Sequence, residues 1–226
     1  MTLNSHKSDL LAAILPHVTF DGWSQASFDQ AVSDLQMDPG LAEVLAPRGA
    51  VDLAVAFHRC GDSAMVRKYS ETVTDTMNVR SKVILAVRLR LEAINDKEVV
   101  RRGSSLFVLP NFAADGAKLI WETADHIWTA LGDTSSDINW YTKRATLGAV
   151  YASTVLFWLG DDSSEHQDTW EFLDRRIENI MQIEKVKGHI RTNEILSVAF
   201  AGPLWFLRKI EKPDYADDRP GRGPYK

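Results

Sequence analysis

The chain has 226 residues, of which 45% are hydrophobic and 25% are charged, and its net charge is −5. This length and balance are typical of a globular protein of one or two domains with a sizeable core. The acidic balance excludes an overall electrostatic footprint for nucleic acid. The single cysteine, Cys60, excludes an internal disulfide framework and any metal site built from several cysteines.

Apolar residues recur at helical spacing along almost the whole chain, whereas the alternating runs typical of strands are scarce. A first helix is predicted near Leu10 with Ser8 as its N-cap, and a second follows Ser24. A short third helix is predicted from Pro39, capped by Asp38. A fourth begins near Val51, and the turn residues at positions 61–63 predict a break after it.

The remaining elements are also predicted to be helical. They span Ser63 to Met77, Ser81 to Ile94, Val99 to Leu109, Ala114 to Leu131, Ile138 to Gly160, and Thr169 to Val186. The helix from Ile138 to Gly160 is apolar on nearly all sides, which predicts that it is buried at the centre. Gly188 is predicted to end the last one, and the tail rich in Pro, Gly and charge is expected to be disordered.

The predicted fold class is therefore all-α. It comprises an N-terminal helix-turn-helix-like unit (1–60), a larger helical ligand-binding body (61–188), an amphipathic segment (189–212) and a disordered tail (213–226).

The order of the first three helices resembles the helix-turn-helix of TetR-type regulators. A DNA-binding function would use the short third helix, but its residues from Pro39 to Ala46 include no basic side chain. Residues 1–59 hold three basic against seven acidic residues, so their field opposes contact with phosphates. We expect a helix-turn-helix kept as a scaffold, and no nucleic-acid partner.

Histidine and carboxylate pairs are isolated. Glu122 and His126 share a helix face, and Glu165, His166 and Asp168 cluster in a polar loop. A di-iron bundle needs repeated Glu-x-x-His motifs on separate helices, and such repetition is missing from the sequence. No glycine-rich phosphate loop and no nucleophile elbow occurs either. The sequence predicts no catalytic residue, no metal site and no cofactor.

The most distinctive local feature runs from Asp137 to Arg144, where two aromatic and two cationic residues begin the most apolar helix. Cations are normally favoured at the opposite end of a helix. One interpretation is an N-cap at Asp137 with simple aromatic packing. The other is a head-group site in which Arg144 binds a phosphate and the helix beyond lines an acyl chamber.

The C-terminal block combines large apolar residues with cations, which is the composition of an interfacial membrane anchor. The alternative is a C-terminal helix docked on the core with its basic residues extended to solvent. The residues concerned are Leu204, Trp205, Phe206, Leu207, Arg208 and Lys209.

Several motifs together closely resemble the Coq-nine family, the accessory proteins of ubiquinone (coenzyme Q) biosynthesis. They are Asp137 to Arg144, Ala145, Tyr151, Asp162-Ser163-Ser164, Asp168-Thr169-Trp170, Phe172-Leu173 and Arg176. The resemblance continues upstream in Arg88-Leu89-Arg90 and Leu109-Pro110-Asn111 and spans most of residues 10–187.

The resemblance implies a TetR-like fold, a homodimer, and an apolar pocket for an isoprenoid quinone intermediate or a phospholipid. It also implies presentation of the quinone precursor to a hydroxylase, the di-iron demethoxyubiquinone hydroxylase, at a membrane surface. We expect the lipid-binding residues to be Lys143, Arg144, Leu147 and Tyr151. The expected partner surface comprises Asp137, Trp140 and Tyr141, and the expected membrane contact is the C-terminal block from Leu204 to Lys209.

Two further expectations concern function class and location. A TetR-type transcription regulator responding to a hydrophobic ligand would use the same fold and pocket, so it is the alternative function. The first ten residues lack the apolar region of a signal peptide and the Arg-rich look of an organelle leader. We therefore expect a bacterial-type cytoplasmic protein, peripheral to the inner membrane, in preference to a mitochondrial matrix protein.

Overall fold

The computed structural model describes residues 3–94 and 96–192, and this part of the chain is all-α, as the sequence predicted. A short 3-10 turn, Ser164–His166, precedes the last helix. The helices are α1 (Leu3–Asp21), α2 (Gln25–Asp34), α3 (Pro39–Leu45), α4 (Ala50–Thr72), α5 (Val79–Glu92), α6 (Lys97–Val108), α7 (Ala113–Ala130), α8 (Ile138–Leu159) and α9 (Gln167–Thr192).

Three of the helix starts that the sequence marked with capping residues are confirmed. The Ser24 hydroxyl accepts a hydrogen bond from the Ser27 backbone N–H at 3.2 Å and begins α2. The Asp38 carboxylate accepts from the Leu41 N–H at 2.9 Å and begins α3, and Asp137 caps α8. Each side chain satisfies one of the backbone donors that a helix N-terminus leaves free.

The N-terminal helices α1, α2, α3 and the first half of α4 enclose one apolar cluster, whose fully buried members include Leu10, Ile14 and Val18. The prediction that Ser8 caps α1 is wrong, because the helix begins at Leu3. Ser8 lies in the second turn, where its hydroxyl donates to the Asn4 carbonyl at 3.0 Å.

Helix α4 runs without interruption through the break predicted at residues 61–63. Asp62 would favour a turn if its side chain bonded to nearby backbone, but it is held instead by Arg90 of α5 at 2.6 Å. The helix consequently joins two cores, with Leu53 in the N-terminal cluster and Met65 in the cluster of the body. The predicted boundary after residue 60 lies inside α4, and the division into four segments stays a prediction.

The body core is built from α5, α7, α8, α9 and the second half of α4. Helix α8 packs against α6, α7 and α9 and buries Leu147, Tyr151 and Trp158. The prediction of a helix buried at the centre is confirmed for this side of α8 and wrong for the opposite side. Leu156 is 66% exposed and Phe157 38% exposed, because the described helices leave one side of α8 uncovered.

Helix α9 passes the predicted stop at Gly188 and continues to Thr192, since one glycine inside a helix costs only about 1 kcal/mol relative to alanine. The predicted membrane segment (189–212) begins inside α9, whereas its remaining residues from 193 and the predicted tail (213–226) lie outside the described residues. No helix of the described part combines the length and apolar character needed to cross a bilayer.

Candidate functional site

A cavity of about 410 Å³ lies between the N-terminal cluster and the body. Its walls are mostly apolar side chains from α4, α6, α7 and α8, together with Trp23 from the turn before α2. Two glycines help to shape this region. A methyl group at Gly116 would meet the Phe107 side chain at 2.8 Å, and one at Gly103 would face the Trp23 indole nitrogen at 3.5 Å.

The outer end of the cavity is apolar and open. Val108 at the end of α6 and Leu156 near the end of α8 both line it and are 79% and 66% exposed. Leu109 and Phe157, the neighbours of these two residues in the chain, are exposed as well. Large apolar side chains are seldom left in water as a group, so this rim is suited to contact with another apolar surface.

The inner end of the cavity is polar and buried. His58, Arg90 and Tyr151 line it, and Arg90 and Tyr151 are only 2% and 3% exposed. Arg90 donates from Nε to Oδ1 of Asp62 at 2.6 Å and from Nη2 to the His58 carbonyl at 3.0 Å. Its guanidinium lies directly against α4 where Gly61 has no side chain. Two opposite charges are thereby buried as a pair behind the cavity wall.

Thr123 of α7 connects this pair to His58. Its hydroxyl lies 2.9 Å from Oδ1 of Asp62, 3.1 Å from the Leu119 carbonyl and 2.8 Å from Nε2 of His58. The oxygens of Asp62 and Leu119 can only accept, so we direct the single hydroxyl proton of Thr123 at one of them. The contact between Thr123 and His58 then needs its own proton, which we place on His58 Nε2. Burial and the nearby Arg90 charge lower the pKa of His58 to about 4, which keeps the ring neutral.

Arg144 lies in a second buried polar cluster, at the start of α8. It is 3% exposed and donates to Asp125 at 2.6 Å and to Asp133 at 3.1 Å, and its guanidinium lies 4.1 Å from the Trp140 ring centre. Lys143 donates to Asp133 as well, at 2.7 Å. Burial raises the pKa of Asp133, but hydrogen bonds from Lys143 and two further side chains outweigh it and leave the pKa at about 2.

An aromatic cluster adjoins Arg144. Trp121 of α7 lies 5.7 Å from Trp140 and 6.2 Å from Tyr141, measured between ring centres. Trp140 is 6% exposed, whereas Trp121 and Tyr141 are half-buried and keep part of their rings at the surface. Asp137 is exposed at the same end of α8. The three residues of the predicted partner surface are thus close together, and Trp121 extends them.

The structure separates the four residues predicted to bind lipid. Tyr151 lines the cavity, and Leu147 belongs to the body core one turn earlier on α8. Lys143 and Arg144 are not among the residues that line it. Their assignment to a lipid, like that of Asp137, Trp140 and Tyr141 to a partner, stays a prediction.

Sequence reasoning missed His58, which lines the polar end of the cavity, and it missed Asp62 and Thr123, which bond to Arg90 and His58 from behind the cavity wall. One signal was available, because His58 and Asp62 are spaced four residues apart and so share one face of a helix. Their partner Arg90 is 28 residues beyond Asp62, and a single sequence does not pair residues at that distance. Within the described residues, no three His, Cys, Asp or Glu side chains lie together as a metal site.

Comparison with known proteins identifies relatives along most of the chain. The COQ9 family profile, the Coq-nine family of the sequence analysis, matches residues 113–184. The chain is 30% identical over 215 residues to the "Probable ubiquinone biosynthesis protein coq9, mitochondrial" of Dictyostelium discoideum, covering 91% of this chain and 68% of the relative. It is 26% identical over 214 residues to the "Ubiquinone biosynthesis protein COQ9, mitochondrial" of Homo sapiens, covering 89% and 66%. The chain thus spans about two thirds of these relatives.

Among solved structures, the chain is similar to the TetR transcriptional regulator from Nitrosomonas europaea ATCC 19718. The TM-score is 0.63 at 15% identity, and the match covers 77% of this chain and 97% of that chain. At this identity the likeness shows the fold alone, and it confirms the TetR-like architecture predicted from the first three helices.

The predicted location is wrong. We expected a bacterial-type cytoplasmic protein. The relatives from Dictyostelium discoideum, Homo sapiens and Drosophila melanogaster are instead named mitochondrial. That expectation rested on the first ten residues alone, and the folded helices shared with the relatives do not encode a compartment. The names of these relatives state a biosynthetic pathway but no reaction. By the profile match, and by 30% identity to a relative of which it covers 68%, the chain belongs to the COQ9 family of ubiquinone biosynthesis proteins.

Proposed function

We propose that this protein is a non-catalytic accessory protein of ubiquinone biosynthesis that holds a lipid and presents it to a hydroxylase at a membrane. The lipid is an isoprenoid quinone intermediate or a phospholipid. The observation that supports this proposal most is the apolar cavity of about 410 Å³ with its exposed apolar rim.

The cavity is a ligand site on physical grounds. Protein interiors are packed as densely as organic crystals, so a void of this volume leaves its lining without partner atoms. Its volume lies in the range of small-molecule sites, roughly 300–1,000 Å³. An apolar chain in the cavity would recover about 25 cal/mol for each Å² removed from water. The exposed Val108 and Leu156 give such a chain an apolar route to the surface.

The aromatic cluster of Trp121, Trp140 and Tyr141 is the proposed docking surface for the hydroxylase. Tryptophan and tyrosine dominate protein interfaces because they bury large areas at low entropic cost. The family resemblance implies that the partner is the di-iron demethoxyubiquinone hydroxylase and that the protein is a homodimer. The membrane contact is proposed for the block from Leu204 to Lys209.

The surface of α3 supports a lipid carrier over a transcription regulator. Its exposed side chains include Glu43 and Val44, neither of which donates a hydrogen bond to phosphate or to a base edge. Asp38 at its N-terminus adds a further negative charge. A mobility-shift experiment with genomic fragments at low salt should therefore show no retarded band, and a specific band would favour the regulator.

The cavity is tested by filling it. Ala152 of α8 lines the cavity, and Ala149 on the same helix is exposed, so Ala152→Trp and Ala149→Trp form a matched pair. Mass spectrometry of lipids that co-purify with each full-length protein should show isoprenoid quinones, their precursors or phospholipid with wild type and Ala149→Trp. Ala152→Trp should lose most of this lipid while its helical circular dichroism is kept.

Equal lipid content in the two folded variants would show that the lipid lies elsewhere. A wild-type protein that repeatedly purifies without lipid would contradict the proposed function itself.

A further inference from the structure

We propose that the second half of α6, together with the turn that follows it, is a gate that bends at Gly103 and opens the cavity to its ligand. The gate comprises residues 104–112. The inference rests on the proposed function, in which the cavity holds a lipid, and it adds how that lipid enters and leaves. Such a gate controls the rates of exchange and not the affinity, because the bound ligand contacts the closed form.

Helix α6 forms one long wall of the cavity. Its lining residues are Val99, Val100, Gly103, Ser104, Phe107 and Val108. From the first to the last of them the helix rises by about 14 Å, so a molecule that fills the cavity lies against most of α6. Val108 is at the outer end and is 79% exposed, so an outward movement of the second half of α6 widens the opening.

Polar contacts fasten the first half of α6 to other parts of the protein. Each of them is a hydrogen bond from a side chain to a backbone carbonyl. The pairs are Lys97 to Asp161 at 2.7 Å, Arg101 to Leu159 at 2.7 Å, Trp23 to Val99 at 3.3 Å and Arg102 to Thr19 at 3.3 Å. They reach α1, the turn before α2 and the end of α8, so the first half cannot move outwards without breaking several bonds at once.

The second half of α6 lacks such bonds. Within the described part of the chain, no side chain of residues 103–112 is hydrogen-bonded to another element. The Ser105 hydroxyl donates to the Arg101 carbonyl at 3.0 Å, inside α6 itself. Leu106 and Phe107 pack on the N-terminal cluster through apolar contacts, which are not directional. The gate can therefore move while the first half of α6 stays in place.

The gate lies between a weak point and a fixed helix. The weak point is Gly103-Ser104-Ser105, directly after the last fastened residue, and glycine and serine pairs are common sites of sharp helix bends. At the other end, Arg48 donates to Asp115 at 2.8 Å and joins the first turn of α7 to the N-terminal unit. Movement is thereby confined to the residues between these two points.

Gly103→Ala tests the bend. A methyl group at Gly103 would lie 3.5 Å from the Trp23 indole nitrogen, which is an ordinary contact, so alanine fits the closed form. Alanine favours the helical conformation about fivefold over glycine, so the bent form should become about fivefold rarer. Association and dissociation of the ligand should both slow about fivefold, and the dissociation constant should stay within about twofold.

The probe is a ubiquinone with two isoprene units, added to the full-length, lipid-stripped protein in stopped-flow fluorescence experiments. Its quinone ring quenches tryptophan, and Trp23 lines the cavity. Ser105→Gly changes an exposed residue that does not line the cavity, and it should speed exchange about twofold because it weakens the helix. The matched control is Ser8→Gly in α1, where an exposed serine also donates to the carbonyl four residues earlier at 3.0 Å. It should exchange the probe as the wild type does.

Hydrogen exchange gives a second measurement that needs no ligand. Bending at Gly103 breaks backbone hydrogen bonds of the residues that follow it, and their amides then exchange with solvent. In the ligand-free protein, Gly103→Ala should slow exchange of the amides of residues 104–108 about fivefold, and Ser105→Gly should speed it about twofold. Exchange in α5 and α7 should be the same in all variants.

The outcomes separate this inference from the proposed function. If the probe binds but Gly103→Ala exchanges it at the wild-type rates, or if only dissociation slows, the gate is wrong and the lipid cavity stands. If the probe does not bind the wild type, the proposed function fails, and hydrogen exchange decides on the gate alone. Equal exchange of residues 104–108 in wild type and Gly103→Ala would then overturn it, whereas the fivefold change would support it.

Discussion

Removing the Asp62 carboxylate should destabilise the protein far more than removing an exposed carboxylate. Asp62→Ala deprives Arg90 of its only described charge partner, and the guanidinium is 2% exposed. Breaking a buried ion pair costs about 3–5 kcal/mol, because the remaining charge is left in a poorly screened interior. For a chain of this size, each kcal/mol shifts the melting temperature by about 2–4 °C, so we expect a decrease of roughly 6–20 °C.

The matched control is Glu92→Ala, which breaks the Arg88–Glu92 pair on the following helix. Those side chains are 47% and 41% exposed, and exposed pairs contribute about 0–1 kcal/mol. A second control replaces both buried charges. Asp62→Leu combined with Arg90→Met should recover much of the lost stability, because an apolar pair of similar volume leaves no charge in the interior.

Thermal and urea unfolding, followed by circular dichroism at pH 7, give these free energies for all variants. The reasoning is refuted if Asp62→Ala melts within about 2 °C of the wild type. It is also refuted if the double variant is as unstable as the single one, since the loss would then come from packing and not from the unpaired charge.

Three further predictions use other groups of the structure. The pKa of His58 is about 4 in the folded protein, below the 6.5 that is ordinary for a histidine, so the free energy of unfolding should decrease as the pH falls from about 6.5 to 4. In urea titrations at these two pH values, the decrease should be about 3 kcal/mol smaller for His58→Phe than for the wild type. Asp133 has a folded pKa of about 2, below its usual 3.8, so its stabilisation is present above pH 4 and is lost towards pH 2. The difference in melting temperature between wild type and Asp133→Asn should accordingly shrink over that interval; a constant difference would contradict the assignment. Finally, if the proposed partner is the di-iron hydroxylase, Trp121→Ala should weaken its capture by on the order of 2 kcal/mol, or roughly thirtyfold. Trp170→Ala, which removes another half-buried tryptophan, should not weaken it.

Local signals in the sequence predicted three helix starts correctly and failed at Ser8, which lies inside α1. Ser24, Asp38 and Asp137 each lie one residue before the first helical position, and each bonds to a backbone N–H two or three residues later. Capping depends on residues close in sequence, so a pattern of a few letters is enough to find it. The same reasoning predicted helix ends at Gly61 and Gly188, where α4 and α9 in fact continue. Glycine inside a helix costs only about 1 kcal/mol relative to alanine, so it does not by itself end a helix.

The site was less predictable, because its pairs join distant parts of the chain. Arg144 was predicted to bind a phosphate, which is reasonable for an arginine at the start of an apolar helix. The structure pairs it with Asp125 and Asp133, 19 and 11 residues earlier, and a single sequence does not pair residues at those distances. Tyr151 was predicted from the resemblance and does line the cavity, whereas His58 was not singled out at all.

Gly61 is an exception to the rule that replacing a helical glycine by alanine stabilises a protein. Replacing glycine by alanine inside a helix normally stabilises a protein by up to about 1 kcal/mol, since the added methyl group restricts the unfolded backbone. At position 61 that methyl carbon would lie 2.5 Å from Nη1 of Arg90, whose guanidinium is fixed by Asp62 and by the His58 carbonyl. A single methyl group would thus push a charge out of its place between the cavity and the helix. Gly61→Ala is for this reason expected to destabilise the protein, and Gly61 is the residue of α4 that leaves room for the Arg90 guanidinium.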